Sequence, residues 1–156
     1  MKQALIVAVI IISIGICLLL NMSNITNDQV SYISIKQNTN EIKRLYFSDK
    51  EQLYIYFKVN DQNKVLSLEQ FNKAYNTNIV LQKDYKQLTT LVNTLNDITN
   101  VFNIIYLDTN SIKVIEANCK NRKCILEGEI SKAGQSIVCA PHKLVIKIMG
   151  ETNIDA

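Results

Sequence analysis

The sequence predicts a mainly β fold: a small β-barrel or sandwich with a helical insertion, preceded by one N-terminal transmembrane helix. Three observations favour it. An uncharged apolar run, Ala4 to Leu20, opens the chain. Short segments rich in branched and aromatic residues follow, separated by turn signals. A stretch with helical periodicity interrupts them. The predicted organisation is an anchor at 1–24, a β domain at 25–151 with its insertion at about 60–101, and a tail at 152–156.

The apolar run is predicted to cross a membrane because its only polar side chain is Ser13. As a helix, residues 4–20 would span about 26 Å, close to the hydrocarbon core of about 30 Å. The membrane lipid around residues 4–20 is therefore an expected partner. Residues 18–27 lack the small-residue pattern of a cleavage site, so we expect the anchor to be retained. Lys2 precedes the run, which favours a cytoplasmic N-terminus and an extracytoplasmic domain in a single-pass cell-membrane protein.

The apolar run has two other interpretations. A cleaved signal peptide is the first, and a lipoprotein signal that modifies Cys17 is the second. Lipidation needs a small residue before the cysteine, but Ile16 precedes Cys17 and three leucines follow it. Cys17 is therefore predicted to be an apolar filler inside the helix.

The β domain is predicted from segments of strand-like composition that are bounded by polar turns. The predicted strands are 30–35, 41–47, 52–59, 103–107, 112–116, 124–130 and 144–149. The last of these alternates most regularly between apolar side chains on one face and the remaining residues on the other.

The helical insertion is predicted from a capping box and an apolar stripe. Ser67 and Gln70 have the spacing of a capping box that opens a short helix ending at Tyr75. Asp84 can cap a longer helix, whose apolar residues recur at helical spacing. They are Leu88, Leu91, Val92, Leu95 and Ile98. We expect this stripe to pack on the sheet, with a partner- or membrane-facing helix as the alternative.

Composition argues against several functional classes. The chain has 17 Lys and Arg against 14 Asp and Glu, far from the dense positive charge of a nucleic-acid-binding domain, so no nucleic-acid partner is expected. It has one His and no Gly-rich phosphate loop or Ser/His/Asp set, which argues against a hydrolase or a nucleotide-dependent enzyme. We therefore expect a non-enzymatic protein.

The C-terminal third carries the most specific motifs. Cys119-x4-Cys124 is followed by the sequences GEIS, GQSIVC and PHKLVI, between Gly128 and Ile146. These motifs, in this order, resemble the NusG domain II family, in the free-standing form that Gram-positive bacteria carry behind one membrane helix. Three positions depart from the family pattern: Lys120 and Ala133 stand where Pro is usual, and Glu129 stands where an aromatic residue is usual.

The resemblance implies a compact β domain. It does not imply a role in transcription, because the family name comes from a domain inserted in a transcription factor, and fold alone does not set function. Similar proteins tend to be encoded beside genes for small-molecule transport and flavin-linked electron transfer. We therefore expect an accessory or binding module of a membrane complex, with a membrane protein as its partner. A thiol-redox or electron-transfer component at the outer face of the membrane is the alternative.

Three cysteines, Cys119, Cys124 and Cys139, lie in the predicted extracytoplasmic part, and we expect them to cluster in space. An oxidising compartment permits disulfides, and an odd number leaves at least one thiol over. The alternatives are a disulfide with one buried thiol, a redox site, or a zinc site that adds His142 as fourth ligand. No cofactor is expected unless it is zinc.

Basic residues surround the first two cysteines. Lys120, Arg122 and Lys123 lie between them in the sequence. Such a cluster favours thiolate formation and can bind an anion such as a phosphate or a lipid headgroup. A solvated basic loop is the simpler interpretation of the same residues.

Overall fold

The structure, a computed structural model, describes residues 31–48, 50–80 and 88–150. The predicted anchor at residues 4–20, with its alternatives at Cys17, and the predicted cap Asp84 lie outside these ranges. Within the described part of the chain, no helix is long and apolar enough to cross a bilayer.

Two antiparallel sheets of four strands each form the domain, so the predicted mainly β class is confirmed. The first sheet has the order β2-β1-β8-β7, and the second has the order β4-β3-β5-β6. Neither sheet closes on itself, so the domain is not a closed barrel. The strands are β1 (Tyr32–Gln37), β2 (Asn40–Tyr46), β3 (Gln52–Val59), β4 (Gln62–Ser67), β5 (Phe102–Leu107), β6 (Ile112–Ala117), β7 (Ser136–Cys139) and β8 (Leu144–Met149).

The ends of the domain meet in the middle of the first sheet. Strand β8 pairs antiparallel with β1 along its whole length, from Tyr32 opposite Met149 to Gln37 opposite Leu144. The N-terminal hairpin β1–β2 and the C-terminal hairpin β7–β8 therefore form one sheet, although they are far apart in sequence.

Strand β4 lies where the sequence predicted the beginning of the helical insertion at about residue 60. Asn60 and Asp61 connect β3 to β4, and both have positive φ (50° and 59°). A two-residue hairpin of the type I′ kind needs positive φ at both positions, which Asn and Asp tolerate. This turn directs residues 62–67 back along β3, so the helical segment begins only after Ser67.

Two helices cover the outer face of the second sheet. Helix α1 (Leu68–Tyr75) begins with the predicted capping box: the backbone N–H of Gln70 donates to Ser67 Oγ, and that of Ser67 donates to Gln70 Oε1. Helix α2 (Leu88–Ile98) buries Leu91 and Leu95. The predicted packing of the apolar stripe on the sheet is confirmed.

The domain has two layers of core. The layer between the sheets includes Ile33 and Ile146 from the first sheet, and Ile105 from the second. The layer between the second sheet and the helices includes Phe57, Phe102 and the two buried leucines of α2. Alternation along β5 supplies both layers, because successive side chains of a strand point to opposite faces.

The predicted strand at 124–130 is wrong. A short helix, α3 (Lys123–Leu126), occupies its first half. Of the rest, only Ile130 pairs, through an isolated antiparallel bridge in which it exchanges both backbone hydrogen bonds with Ile112 (2.9 and 3.0 Å). The remaining predicted strands agree with the structure to within two residues at each end. The prediction had not included β7.

Candidate functional site

Three buried cysteine side chains meet where α3 packs against β6 and β7. The Sγ atoms of Cys119, Cys124 and Cys139 all lie within 4.8 Å of one another. The Sγ atoms of Cys119 and Cys124 are 3.6 Å apart. We call these three residues the thiol cluster. The predicted clustering of the three cysteines is confirmed.

A β-bulge in β6 brings Cys119 into the cluster. Ile104 pairs with Glu116 while Ile105 pairs with Val114, which leaves Ile115 as an extra residue on β6. A bulge of one residue exchanges the two faces of the strand beyond it. Ala117 therefore faces the core between the sheets, as Val114 does, and Cys119 two residues later is buried in the same core.

Cys124 is placed by the short helix. Arg122 has positive φ (49°), and this left-handed residue turns the chain into α3. Its backbone N–H donates to Cys119 O at 3.3 Å, which holds the segment between the two cysteines in a tight turn. Cys124 lies in the first turn of α3 and is 1% exposed. Cys139 is the last residue of β7 and is also buried.

A buried polar pair lies directly behind the cluster. Asn103, the second residue of β5, donates from Nδ2 to Cys124 Sγ at 3.4 Å. Its Oδ1 lies 2.6 Å from His142 Nδ1, so the proton of that ring nitrogen is directed at the amide oxygen. His142 belongs to the turn that joins β7 to β8, and Tyr56 Oη donates to its backbone carbonyl at 3.5 Å. The only sequence signal that marks Asn103 is an amide inside a strand that is otherwise apolar.

The hydrogen bonds within the cluster affect the cysteines unequally. The hydrogen bond from Cys124, followed by those from His142 and Asn103, lowers the pKa of Cys139 below its ordinary value. The hydrogen bond with Cys139, together with burial, raises the pKa of Cys124. These hydrogen bonds therefore favour the thiolate form at Cys139 and the protonated form at Cys124.

A pocket of ≈ 250 Å³ opens onto the thiol cluster. Besides the three cysteines, its lining includes Lys123 and Glu127 at the two ends of α3, and Val138 of β7. Glu127 Oε2 accepts the backbone N–H of Val138 at 2.7 Å, so the carboxylate ties the end of α3 to β7. The pocket leads toward the three cysteines, each of which is at most 5% exposed.

The predicted anion-binding residues do not act as one group. Arg122 donates a hydrogen bond to Glu116 Oε1 and forms an ion pair with it. Lys123 lines the thiol pocket. Lys120 lies exposed in the turn before α3.

The positions of the sulfur atoms and of the His142 ring bear on two of the predicted alternatives, a disulfide and a zinc site. All three cysteines of the cluster are free thiols, and none is at the disulfide bond length of about 2.05 Å from another. The group of mutually close ligand atoms contains the three cysteines but not His142. The ring of His142 is instead hydrogen bonded to Asn103 through Nδ1.

The described residues thus define a two-sheet β domain with a buried thiol cluster at one end of the strands. The chain belongs to the NusG domain II family, because the model of that family matches residues 5–152. The resemblance inferred from the C-terminal motifs is therefore confirmed.

Three solved structures match the chain, two of them from Listeria innocua and Enterococcus faecalis. The Lin0431 protein from Listeria innocua is 18% identical, with 78% of this chain and 98% of that chain covered and a TM-score of 0.47. A DUF1312 family protein from Enterococcus faecalis is 19% identical, with coverages of 78% and 99% and a TM-score of 0.48. No curated protein matches the chain.

Proposed function

We propose that the chain is a membrane-tethered, extracytoplasmic binding module that serves as an accessory subunit of a membrane complex and acts through the thiol pocket. The observation that carries this proposal is the convergence of three free, buried thiols on one pocket. Cys119 follows β6, Cys124 lies in α3, and Cys139 ends β7. The apolar run at 4–20 and Lys2 before it support the proposed tethering and orientation.

The rim of the pocket provides the contact surface in this proposal. Leu126 of α3 is 82% exposed, and Val138 of β7, in the lining of the pocket, is 40% exposed. Leu126 adjoins Glu127, which also lines the pocket, and exposed apolar surface that is concentrated in one place marks interaction sites. A membrane protein fits both the exposed apolar side chains and the thiol pocket if it presents an apolar surface beside a group that binds thiols.

A crosslinked pull-down from native membranes tests the proposal. The full chain carrying an affinity tag should recover one discrete membrane-protein partner, and Leu126→Ser should lose it. Tyr46→Ser is the matched control: Tyr46 is 53% exposed, but it lies on β2, at the opposite edge of the first sheet from β7. Equal recovery by both variants would contradict the assignment of this face.

Thiol–disulfide exchange is a second candidate, favoured by the 3.6 Å separation of the Cys119 and Cys124 sulfur atoms. In this reaction the two thiols lose two protons and two electrons to a partner's disulfide. One S–S bond forms between Cys119 and Cys124, and the partner's S–S bond becomes two thiols. Differential alkylation in redox buffers tests it: the pair should interconvert at the potential of its compartment. A pair that stays reduced across the whole range excludes this function.

A further inference from the structure

We propose that the thiol cluster binds a single Cu(I) ion through the sulfur atoms of Cys119, Cys124 and Cys139. This inference rests on the proposed function, since it names the ligand of the same pocket.

The spacing of the sulfur atoms fits three-coordinate binding. A metal–sulfur bond of about 2.3 Å places three sulfur atoms in a trigonal plane about 4.0 Å from one another. The observed Sγ–Sγ distance between Cys119 and Cys124 is 3.6 Å, and no distance within the cluster exceeds 4.8 Å. Small side-chain rotations therefore complete the site without moving the strands.

The donor set favours Cu(I) over zinc. Thiolate donors bind both Cu(I) and zinc, so the number of donors decides: structural zinc takes four ligands in a tetrahedron. Among the described residues, the group of mutually close donors stops at three sulfur atoms. Neither ring nitrogen of His142 belongs to this group, and Glu127 Oε2 is already occupied by the Val138 N–H.

Asn103 and Lys123 provide a hydrogen-bond donor and a positive charge for the negatively charged Cu(I)–thiolate site. Three thiolates and one Cu(I) carry two net negative charges, and the three thiols release three protons when the ion binds. The Nδ2–H of Asn103 donates to Cys124 Sγ, and its orientation is fixed by His142. Such partners behind the ligands orient them and adjust metal affinity. Lys123, in the lining of the pocket, adds one positive charge to its walls.

A chelator competition with the full chain tests the proposal. The protein should be purified in detergent, fully reduced without oxygen, and titrated with Cu(I) against a chromophoric Cu(I) chelator. Cys17→Ser serves as the background, because the fourth cysteine of the chain lies in the predicted anchor. The expected result is one Cu(I) per chain, with three sulfur neighbours at about 2.3 Å by X-ray absorption.

Variants locate the site. Cys119→Ser, Cys124→Ser and Cys139→Ser should each abolish competition with the chelator, whereas restoring Cys17 should change nothing. Asn103→Ala should weaken binding by about 10–100-fold, as expected of a residue behind the ligands. If a variant fails to fold, as judged by circular dichroism, the X-ray absorption of the background protein still decides the coordination.

Three outcomes would overturn the proposal. In the first, the protein fails to compete with the chelator for Cu(I). In the second, X-ray absorption shows two sulfur neighbours instead of three. In the third, the protein binds zinc through three sulfur atoms and the His142 ring and does not compete with the chelator for Cu(I). None of them affects the recovery of a membrane partner through Leu126. Failure of the copper site and failure of the proposed function are therefore separate results.

Discussion

Asn103 connects His142 to Cys124 through the two ends of one buried amide. Its Oδ1 lies 2.6 Å from His142 Nδ1, and its Nδ2 donates to Cys124 Sγ at 3.4 Å. The amide is 0% exposed, so neither end can exchange its partner for water. A strand of the second sheet, the β7–β8 turn and α3 are thereby held together behind the thiol cluster.

Asn103→Ala should destabilise the domain by about 1–3 kcal/mol, because it leaves the buried N–H of His142 without an acceptor. Chemical denaturation of the reduced full chain measures the free energy of unfolding. Asn110→Ala, in the exposed loop between β5 and β6, is the matched control and should change it by less than about 0.5 kcal/mol. Equal effects of the two variants would show that the buried amide contributes nothing to stability.

Leu95→Ala should cost about 2–5 kcal/mol, because it opens a cavity between α2 and the second sheet. Leu95 is 0% exposed and belongs to the core layer under the helices. Asn96→Ala, one position along on the exposed side of α2, is the control. A loss below about 0.5 kcal/mol for Leu95→Ala would mean that this face of the helix is not held against the sheet in solution.

Local patterns predicted the parts of the fold that local interactions determine. The capping box of Ser67 and Gln70 and the apolar stripe of α2 depend on residues three or four positions apart, and both are present. The strand predicted at 124–130 was wrong because the apolar residues of this segment suit a strand by composition. In the structure they serve two purposes: Cys124 is buried in the thiol cluster, whereas Leu126 is exposed on α3. Periodicity over so few residues cannot separate these arrangements.

The candidate site was predictable in its sulfur atoms but not in its surroundings. Cys119 and Cys124 are close in sequence, and Cys139 precedes the last strand, so their meeting could be expected. The bulge at Ile115, which turns Cys119 inward, depends on the pairing of β6 with β5 and leaves no local signal. Asn103 and His142 are 39 positions apart, and only the packing of the two sheets brings them together.

The predicted anchor leads to an expectation for the mature protein. Because residues 4–20 are uncharged and no cleavage pattern follows them, the mature chain should retain Met1 or Lys2 and fractionate with membranes. Mass spectrometry of the intact protein from washed membranes measures this. A mature N-terminus near Ser23, or recovery in the soluble fraction, would instead indicate cleavage.

The last prediction concerns the redox state of the thiols. All three cysteines of the cluster are free, and the chain has four cysteines including Cys17. Protein purified without oxygen and unfolded in an alkylating agent should therefore take up four labels, and the Cys17→Ser variant should take up three.

In the folded protein, labelling of the cluster should be slow, because each of its cysteines is at most 5% exposed. Bound Cu(I) should slow it further until a Cu(I) chelator is added, since the metal-bound sulfur is the group that must react. A mass that lacks two labels until a reductant is added would reveal a disulfide among the three. The same experiment on single Cys→Ser variants would then identify which two residues form it.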